Sequence, residues 1–353
     1  MNLSPILGDL GMPAKKKRIL ITGGAGFVGH HFCEHFLRNT GSDIVVLDKL
    51  TYAAKGFDRL RDIKAFDDKR VLVLSGDFSK PLSEGIKQEI GNVDYIFHIG
   101  AESHVDNSII DPEPFVHSNV LGTMHMLNFA REVKKLTCFF YFSTDEVFGP
   151  APEGVSYKED DAQNPSNPYS ATKSGGEMLV KSYRNTYRLP CTITRSMNIF
   201  GERQHPEKFI PMVAKKIMRD EKIYVHSNAN KTKAGSRFYI HARNVADGYM
   251  HLLNLIESGK ASSVVNNDFH ITGEKEVDNL EMVKLIAKIL GKENYKNYEL
   301  VDFHSSRPGH DLRYALDGSK MESIGWKLPK TFDQSLTKTI EWMVDKKNAR
   351  WMV

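Results

Sequence analysis

The sequence predicts an α/β protein: a doubly wound, mostly parallel sheet followed by a smaller mixed α/β domain. Three observations lead there. Short apolar runs alternate with helical patterns from Arg18 to Arg195, the rhythm of strands buried on both faces. The stretch Gly23-Gly24-Ala25-Gly26-Phe27-Val28-Gly29 stands between the first such run and the first helix, which is where a dinucleotide-binding glycine turn belongs. Beyond Ser196 the rhythm breaks into short segments separated by polar loops, the longest from His226 to Ser236.

Taken in order, Arg18–Thr22 is the first strand, and a helical pattern runs to about Leu37. Gly23 and Gly26 permit the tight turn between them, and the helix N-terminus, entered at Phe27 and Val28, faces a pyrophosphate. Ile44–Leu47 is a second strand ending in Asp48. A carboxylate there suits a ribose hydroxyl and favours NAD over NADP, whose 2′-phosphate it repels; Lys49 follows it. Val71–Leu74 ends near Asp77 and Phe78, placed to flank the adenine, and Asp94–His98 runs into Gly100 and Ala101. Small residues there let a cofactor lie against the backbone, while His98 reads as a packing residue. A helix over 114–133 precedes the strand Cys138–Phe142, which delivers Ser143, Thr144, Asp145 and Glu146 to the crevice end of the sheet. Asn167 caps the next helix and Pro168 opens it, so Tyr169 and Lys173 share one face. Residues 190–195 form a sixth strand. The chain divides into a tail (1–16), an NAD-binding Rossmann domain (17–198) and a second domain (199–353), of which a helix near 243–257 packs back on the first.

The chemistry follows from these neighbours. A lysine ammonium one turn from Tyr169 is expected to lower the phenol's pKa and make it a base. Thr144 can hold the same substrate hydroxyl, and Asp145 and Glu146 can separate into an acid and a base. Composition excludes other classes. In 353 residues, 48 Lys and Arg against 44 Asp and Glu leave a net charge of +4, too small to argue for nucleic acid. Three cysteines, Cys33, Cys138 and Cys191, read as buried thiols rather than a disulfide framework. No run approaches ~20 apolar residues, so no membrane span is expected. Neither is a signal peptide or a metal site, and the expected location is the cytoplasm.

With the glycine turn, Asp48, Thr144-Asp145-Glu146 and Tyr169-x-x-x-Lys173 in this order, the chain resembles the extended short-chain dehydrogenase/reductases. Within them it is similar to the nucleotide-diphosphate-sugar 4,6-dehydratases, the dTDP-glucose enzymes above all. The marks are His98-x-x-Ala101-Glu102-Ser103-His104-Val105-Asp106, Pro206-Glu207-Lys208 with Ile210-Pro211, and Arg307-Pro308-Gly309-His310-Asp311 with Arg313-Tyr314-Ala315. The resemblance implies a recycled, tightly held NAD and a hydro-lyase reaction. Tyr169 with Lys173 oxidises C4, Glu146 and Asp145 eliminate water across C5 and C6, and hydride returns to C6. It also implies NAD contacts from Thr51, Ser103, Asn119, Ser143 and Asn198. Ser103, Thr144, Asn198, Lys208, Arg237, Arg307 and His310 would contact the nucleotide-diphosphate sugar, and helices 114–133 and 169–187 would pair in a homodimer as a four-helix bundle. The chain departs from the pattern after Arg237, where Phe238-Tyr239-Ile240-His241-Ala242 stands. The base (thymine, uracil or another) and the sugar are therefore open. Two other readings are a sugar 4-epimerase or decarboxylase, against which Asp145 and Glu146 speak, and a non-catalytic NAD-binding protein, against which Tyr169 and Lys173 speak.

Overall fold

The computed structural model describes residues 16–302 and 313–352. Seven strands form one parallel sheet: β1 (Arg18–Thr22), β2 (Asp43–Asp48), β3 (Val71–Ser75), β4 (Tyr95–His98), β5 (Cys138–Thr144), β6 (Cys191–Ser196) and β7 (Asp268–Ile271). Their order is β7-β6-β5-β4-β1-β2-β3. The direction of winding reverses between β1 and β4, and a crevice opens at their carboxyl ends.

Each strand serves two cores. Ile19 and Ile21 face one side with Phe32, Phe36 and Phe140, while Leu20 faces the other with Phe139 and Tyr141. Burial on both faces explains why Cys138–Phe142 shows no polar alternation. A third core, around Ile210, Val213, Val225, Met282 and Leu336, belongs to the smaller region. There Tyr298–Asp302 pairs in parallel with Ile223–Ser227, and Glu276–Asp278 pairs antiparallel with Ser236–Phe238. The second half of the chain also reaches back to the large sheet. The helix Ala242–Leu255 sets Tyr249 against Phe32, with ring centroids 4.8 Å apart, and β7 lies beside β6.

The helix expected over 114–133 is present from Glu113 to Glu132 and widens in its middle. It consists of Glu113–Phe115, a π-helical stretch Val116–Leu121 and Gly122–Glu132. Inside the widened turn the Asn119 amide bonds both backbone groups of Glu102, at 2.9 Å each. The helix Pro168–Tyr187 begins as the sequence indicates. Asn167 accepts from the Ser170 amide at 2.9 Å and the Ser170 hydroxyl answers at 3.2 Å, a reciprocal cap.

That helix is tied to β6 by a fully buried ion pair. The Arg195 guanidinium donates to the Glu177 carboxylate at 2.9 Å and 2.6 Å, with neither side chain exposed. Removing one partner from such a pair strands a charge in the interior. Arg195→Met is expected to cost about 3–5 kcal/mol, read as a lowered midpoint in urea.

Candidate active site

The site lies where β1, β4 and β5 end. Gly23 has φ +68°, and a Cβ there would stand 2.5 Å from the Gly100 Cα. The turns after β1 and β4 can touch only because both residues are glycine. Next to them Asp48 accepts from the Ala25 amide (3.0 Å) and the Leu50 amide (2.8 Å), and burial pushes its carboxyl above the usual range. These groups border a cavity of about 220 Å³. A second cavity of about 460 Å³ shares Phe27, Val28, Ser103, Ser143 and Tyr169 with it and extends into the smaller region.

Gly23, Gly26, Phe27, Val28, Asp48, Lys49, Thr51, Phe78, Ala101, Ser103, Ser143, Tyr169 and Lys173 line the first cavity. Ser103, Thr144, Asp145, Glu146, Tyr169, Asn198, Lys208 and Arg237 line the second. Two of the residues singled out line neither. Asp77 turns its carboxylate onto the Ser79 amide at 2.9 Å, and Asn119 is buried between Glu102 and Thr172. Asn198 belongs to the second cavity alone. Arg307 and His310 lie outside the described residues.

Burial sets the protonation states. Asp145 is 4% exposed, and burial, then the Glu146 charge, push its carboxyl up to about 7. The Thr144 hydroxyl donates to Asp145 Oδ1 at 3.0 Å, while Oδ2 is buried with no hydrogen-bond partner. Glu146 is held differently, by the Asn167 amide at 3.1 Å. The acidic pair thus divides into one carboxyl poised to carry a proton at neutral pH and a neighbour oriented by a helix cap. Lys173 donates to the Phe142 carbonyl at 2.6 Å and lies 4.3 Å from the centre of the Tyr141 ring. Burial lowers its ammonium to about 7.

One expectation is corrected here. The sequence places Lys173 to lower the Tyr169 phenol, yet that phenol is raised. Its burial dominates, the Glu146 and Asp145 charges add to it, and a hydrogen bond with Thr144 only partly opposes them. His98 is the neutral packing residue expected: burial pushes it down to about 3. Its Nδ1 lies 2.8 Å from the Thr22 hydroxyl, which itself accepts from the Gly100 amide. Sequence reasoning missed several lining residues, among them Arg59, Gln204, His205, Tyr224 and Asn279. Long-range packing brings them in, and no local spacing announces it.

With this geometry in view, comparisons with known proteins are specific. The model of the GDP-mannose 4,6 dehydratase family matches residues 20–339. A dTDP-glucose 4,6-dehydratase of Escherichia coli is 34% identical over 95% of this chain and 94% of its own. The low-salt glycan biosynthesis protein Agl12 of Haloferax volcanii is 36% identical over 92% of this chain and 97% of its own. Among solved structures, the dTDP-glucose 4,6-dehydratase DesIV of Streptomyces venezuelae, solved with NAD bound, superimposes with a TM-score of 0.82. It is 32% identical, covering 95% of this chain and 98% of its own.

The raised Asp145 carboxyl has a consequence for stability. Its folded value of about 7 exceeds the ordinary 3.8, so the folded protein keeps a proton that the unfolded chain loses. That contribution is fully present below the unfolded value and is lost as pH rises through about 7. Asp145→Asn lacks the titration, so its thermal midpoint should gain on the parent's between about pH 4 and pH 7 and then level off. Ligand-free calorimetry across that range checks this; a pH-independent difference would mean an ionised Asp145 throughout.

Proposed function

The chain belongs to the GDP-mannose 4,6 dehydratase family, and from that premise we propose an NAD-dependent nucleotide-diphosphate-sugar 4,6-dehydratase that acts on dTDP-glucose. It is a hydro-lyase. One observation carries this reading: Thr144, Asp145, Glu146 and Tyr169 border a single cavity. An acid and a base beside a C4-oxidising tyrosine are what elimination across C5 and C6 requires, and a 4-epimerase has no use for them.

The residues present fit a dinucleotide. The glycine approach at Gly23 and Gly100 leaves backbone bare at the cavity wall, the helix from Phe27 points its N-terminus there, and Asp48 stands beside it as a hydrogen-bond acceptor. When bound, NAD supplies the acceptor for hydride from C4 and its donor to C6. Tyr169 takes the proton of the C4 hydroxyl, with Thr144 holding the same oxygen. Burial and the neighbouring carboxylates favour the protonated phenol, so its ionisation depends on a charged Lys173 beside it. Glu146 removes the C5 proton, which the C4 ketone has acidified. Asp145, neutral at pH 7 in part of the molecules, gives its proton to the departing C6 hydroxyl, which leaves as water. Lys208 and Arg237 border the same cavity and suit the diphosphate. Three buried free thiols support a cytoplasmic setting.

We also propose a homodimer through the helices around 113–132 and 168–187. Leu127 and Tyr183 on these helices belong to the core, but Val116, Met178 and Tyr187 stay 43–46% exposed. Such large apolar side chains on adjacent helices suit a self-complementary interface. Light scattering should give twice the chain mass; a monomer at micromolar concentration would contradict it.

The activity is tested by incubating the protein with dTDP-, UDP-, CDP- and GDP-hexoses and following 4-keto product by mass spectrometry. Asp145→Asn and Glu146→Gln should each lower turnover ~10²–10⁴-fold while still oxidising C4, visible as near-ultraviolet absorbance of reduced cofactor. Tyr169→Phe should stop before that absorbance develops. Full turnover by Glu146→Gln would reduce the acidic pair to a loop cap and favour the epimerase reading.

A further inference from the structure

Two segments from distant parts of the chain contribute to the wall of the first cavity. One is Thr51–Ala54, after β2. The other carries Gln204, His205 and Lys208, from the second half of the chain. Behind them sits Arg59, on the short helix Asp58–Asp62, with no part of it exposed. A buried guanidinium is costly unless its protons are used; here Nη1 and Nε find acceptors, while Nη2 is buried with no hydrogen-bond partner. Its Nη1 donates to the Ala53 carbonyl at 2.7 Å and the Ala54 carbonyl at 2.9 Å, both on the first loop. Its Nε donates to the Arg203 carbonyl at 3.0 Å, at the root of the second. One side chain therefore joins both lips of the cavity. At the front, the Tyr52 and His205 rings meet edge to face, with centroids 6.0 Å apart.

The far side of Arg59 is covered by the C-terminal turn Lys346–Trp351. The Trp351 indole lies 5.5 Å from the guanidinium and is 2% exposed, a desolvated cation–π contact. Asp62, one turn after Arg59, fastens this arrangement. It accepts from Trp351 Nε1 at 2.9 Å, from Arg203 Nε at 3.0 Å and from Arg350. Arg203 itself holds a left-handed backbone at φ +65°, a conformation a non-glycine residue keeps only where its surroundings impose it. Arg59 and Asp62 grip it from the main chain and the side chain at once. The grip spans two segments around one cavity and, through Asp62, ties them to Trp351, 289 residues away from it in sequence.

We propose that Arg59, Asp62 and Trp351 are positioning residues that govern how long the dinucleotide stays bound, by clasping the loop 51–54 to the loop 203–208 across the mouth of its cavity. The proposal rests on reading that cavity as the NAD site. It concerns retention, not the chemical step, since none of the three borders the second cavity, where Thr144, Asp145 and Glu146 lie.

The test measures release of bound NAD, chased with excess thio-NAD, for the parent, Trp351→Ala, Trp351→Phe and Asp62→Asn. The KM for added NAD, kcat and the thermal midpoint are recorded alongside. Trp351→Ala and Asp62→Asn should each release NAD about tenfold faster, with the loss falling on KM for NAD rather than on kcat. Trp351→Phe keeps a ring over Arg59 but loses the bond to Asp62, so it should fall between. If Trp351→Ala does not fold, Asp62→Asn decides alone. Release within twofold of the parent in folded variants overturns the proposal, as does a fall in kcat matching the rise in KM. A parent that binds no NAD overturns the reading of the cavity and the proposal with it, whereas a parent that binds NAD beside unchanged variants overturns the proposal only.

Discussion

Burial of several titratable groups in one crevice is the constraint on which the site depends. The helix Pro168–Tyr187 lies so close on β5 that a Cβ at Gly176 would stand 2.1 Å from the Tyr141 hydroxyl. That approach lets Lys173 reach the Phe142 carbonyl and sets Tyr169 beside Thr144 and the acidic pair. Away from water the charged form of each group is disfavoured. The Asp145 carboxyl rises and the Lys173 ammonium falls, both to about 7. Two groups with very different ordinary values are thus brought into one range. Proton transfer is most effective where donor and acceptor lie near the working pH, and here packing does that.

The same packing needs an anchor, and the Arg195–Glu177 pair supplies it. Glu177 follows Lys173 by one turn and faces the sheet, so the helix cannot roll about its axis without breaking a fully buried contact. Its carboxylate also favours the charged Lys173, against the larger effect of burial. Gln163 joins the pair through Glu177 and Ser174, so the loop before the helix is held to the same point. The ion pair and Lys173 therefore share one helix face, with the Glu177 carboxylate bearing on both.

How much of this was legible in the sequence depends on range. The strands β1 to β6 were readable because burial on both faces leaves uninterrupted apolar runs, and the glycine turn because its neighbours, strand and helix, are adjacent in the chain. The residues at the end of β5 and the start of the next helix were readable for the same reason. What failed needed knowledge of packing. Spacing places Lys173 one turn from Tyr169, but the sign of the phenol's shift is decided by desolvation, by Phe115 against its ring and by two carboxylates across the crevice. The Asp77 carboxylate accepts from the Ser79 amide, and Asn119 is held by the Glu102 backbone and the Thr172 hydroxyl, contacts that no spacing announces. The paired strands of the smaller region are two to five residues long, too short for any period to register. Arg59 and Trp351 have no local signature at all, since their meaning arises only where distant segments meet.

A reaction that removes hydride from one carbon of a sugar and returns it to another places two opposed demands on the crevice. The sugar must enter and leave at every turnover, while the dinucleotide must outlast both transfers. The two cavities share part of their walls and differ in the rest. They share Phe27, Val28, Ser143 and Tyr169, where the reacting carbons and the dinucleotide have to meet. The larger one then opens among Arg237, Tyr239 and Asn279, on the short strands and helix ends of the smaller region. The smaller one opens between loops that Arg59 spans from behind and that Tyr52 and His205 bridge in front. Gln204, Glu207 and Lys208 border both cavities, and beside them Arg203 is held through its main chain by Arg59 and through its side chain by Asp62.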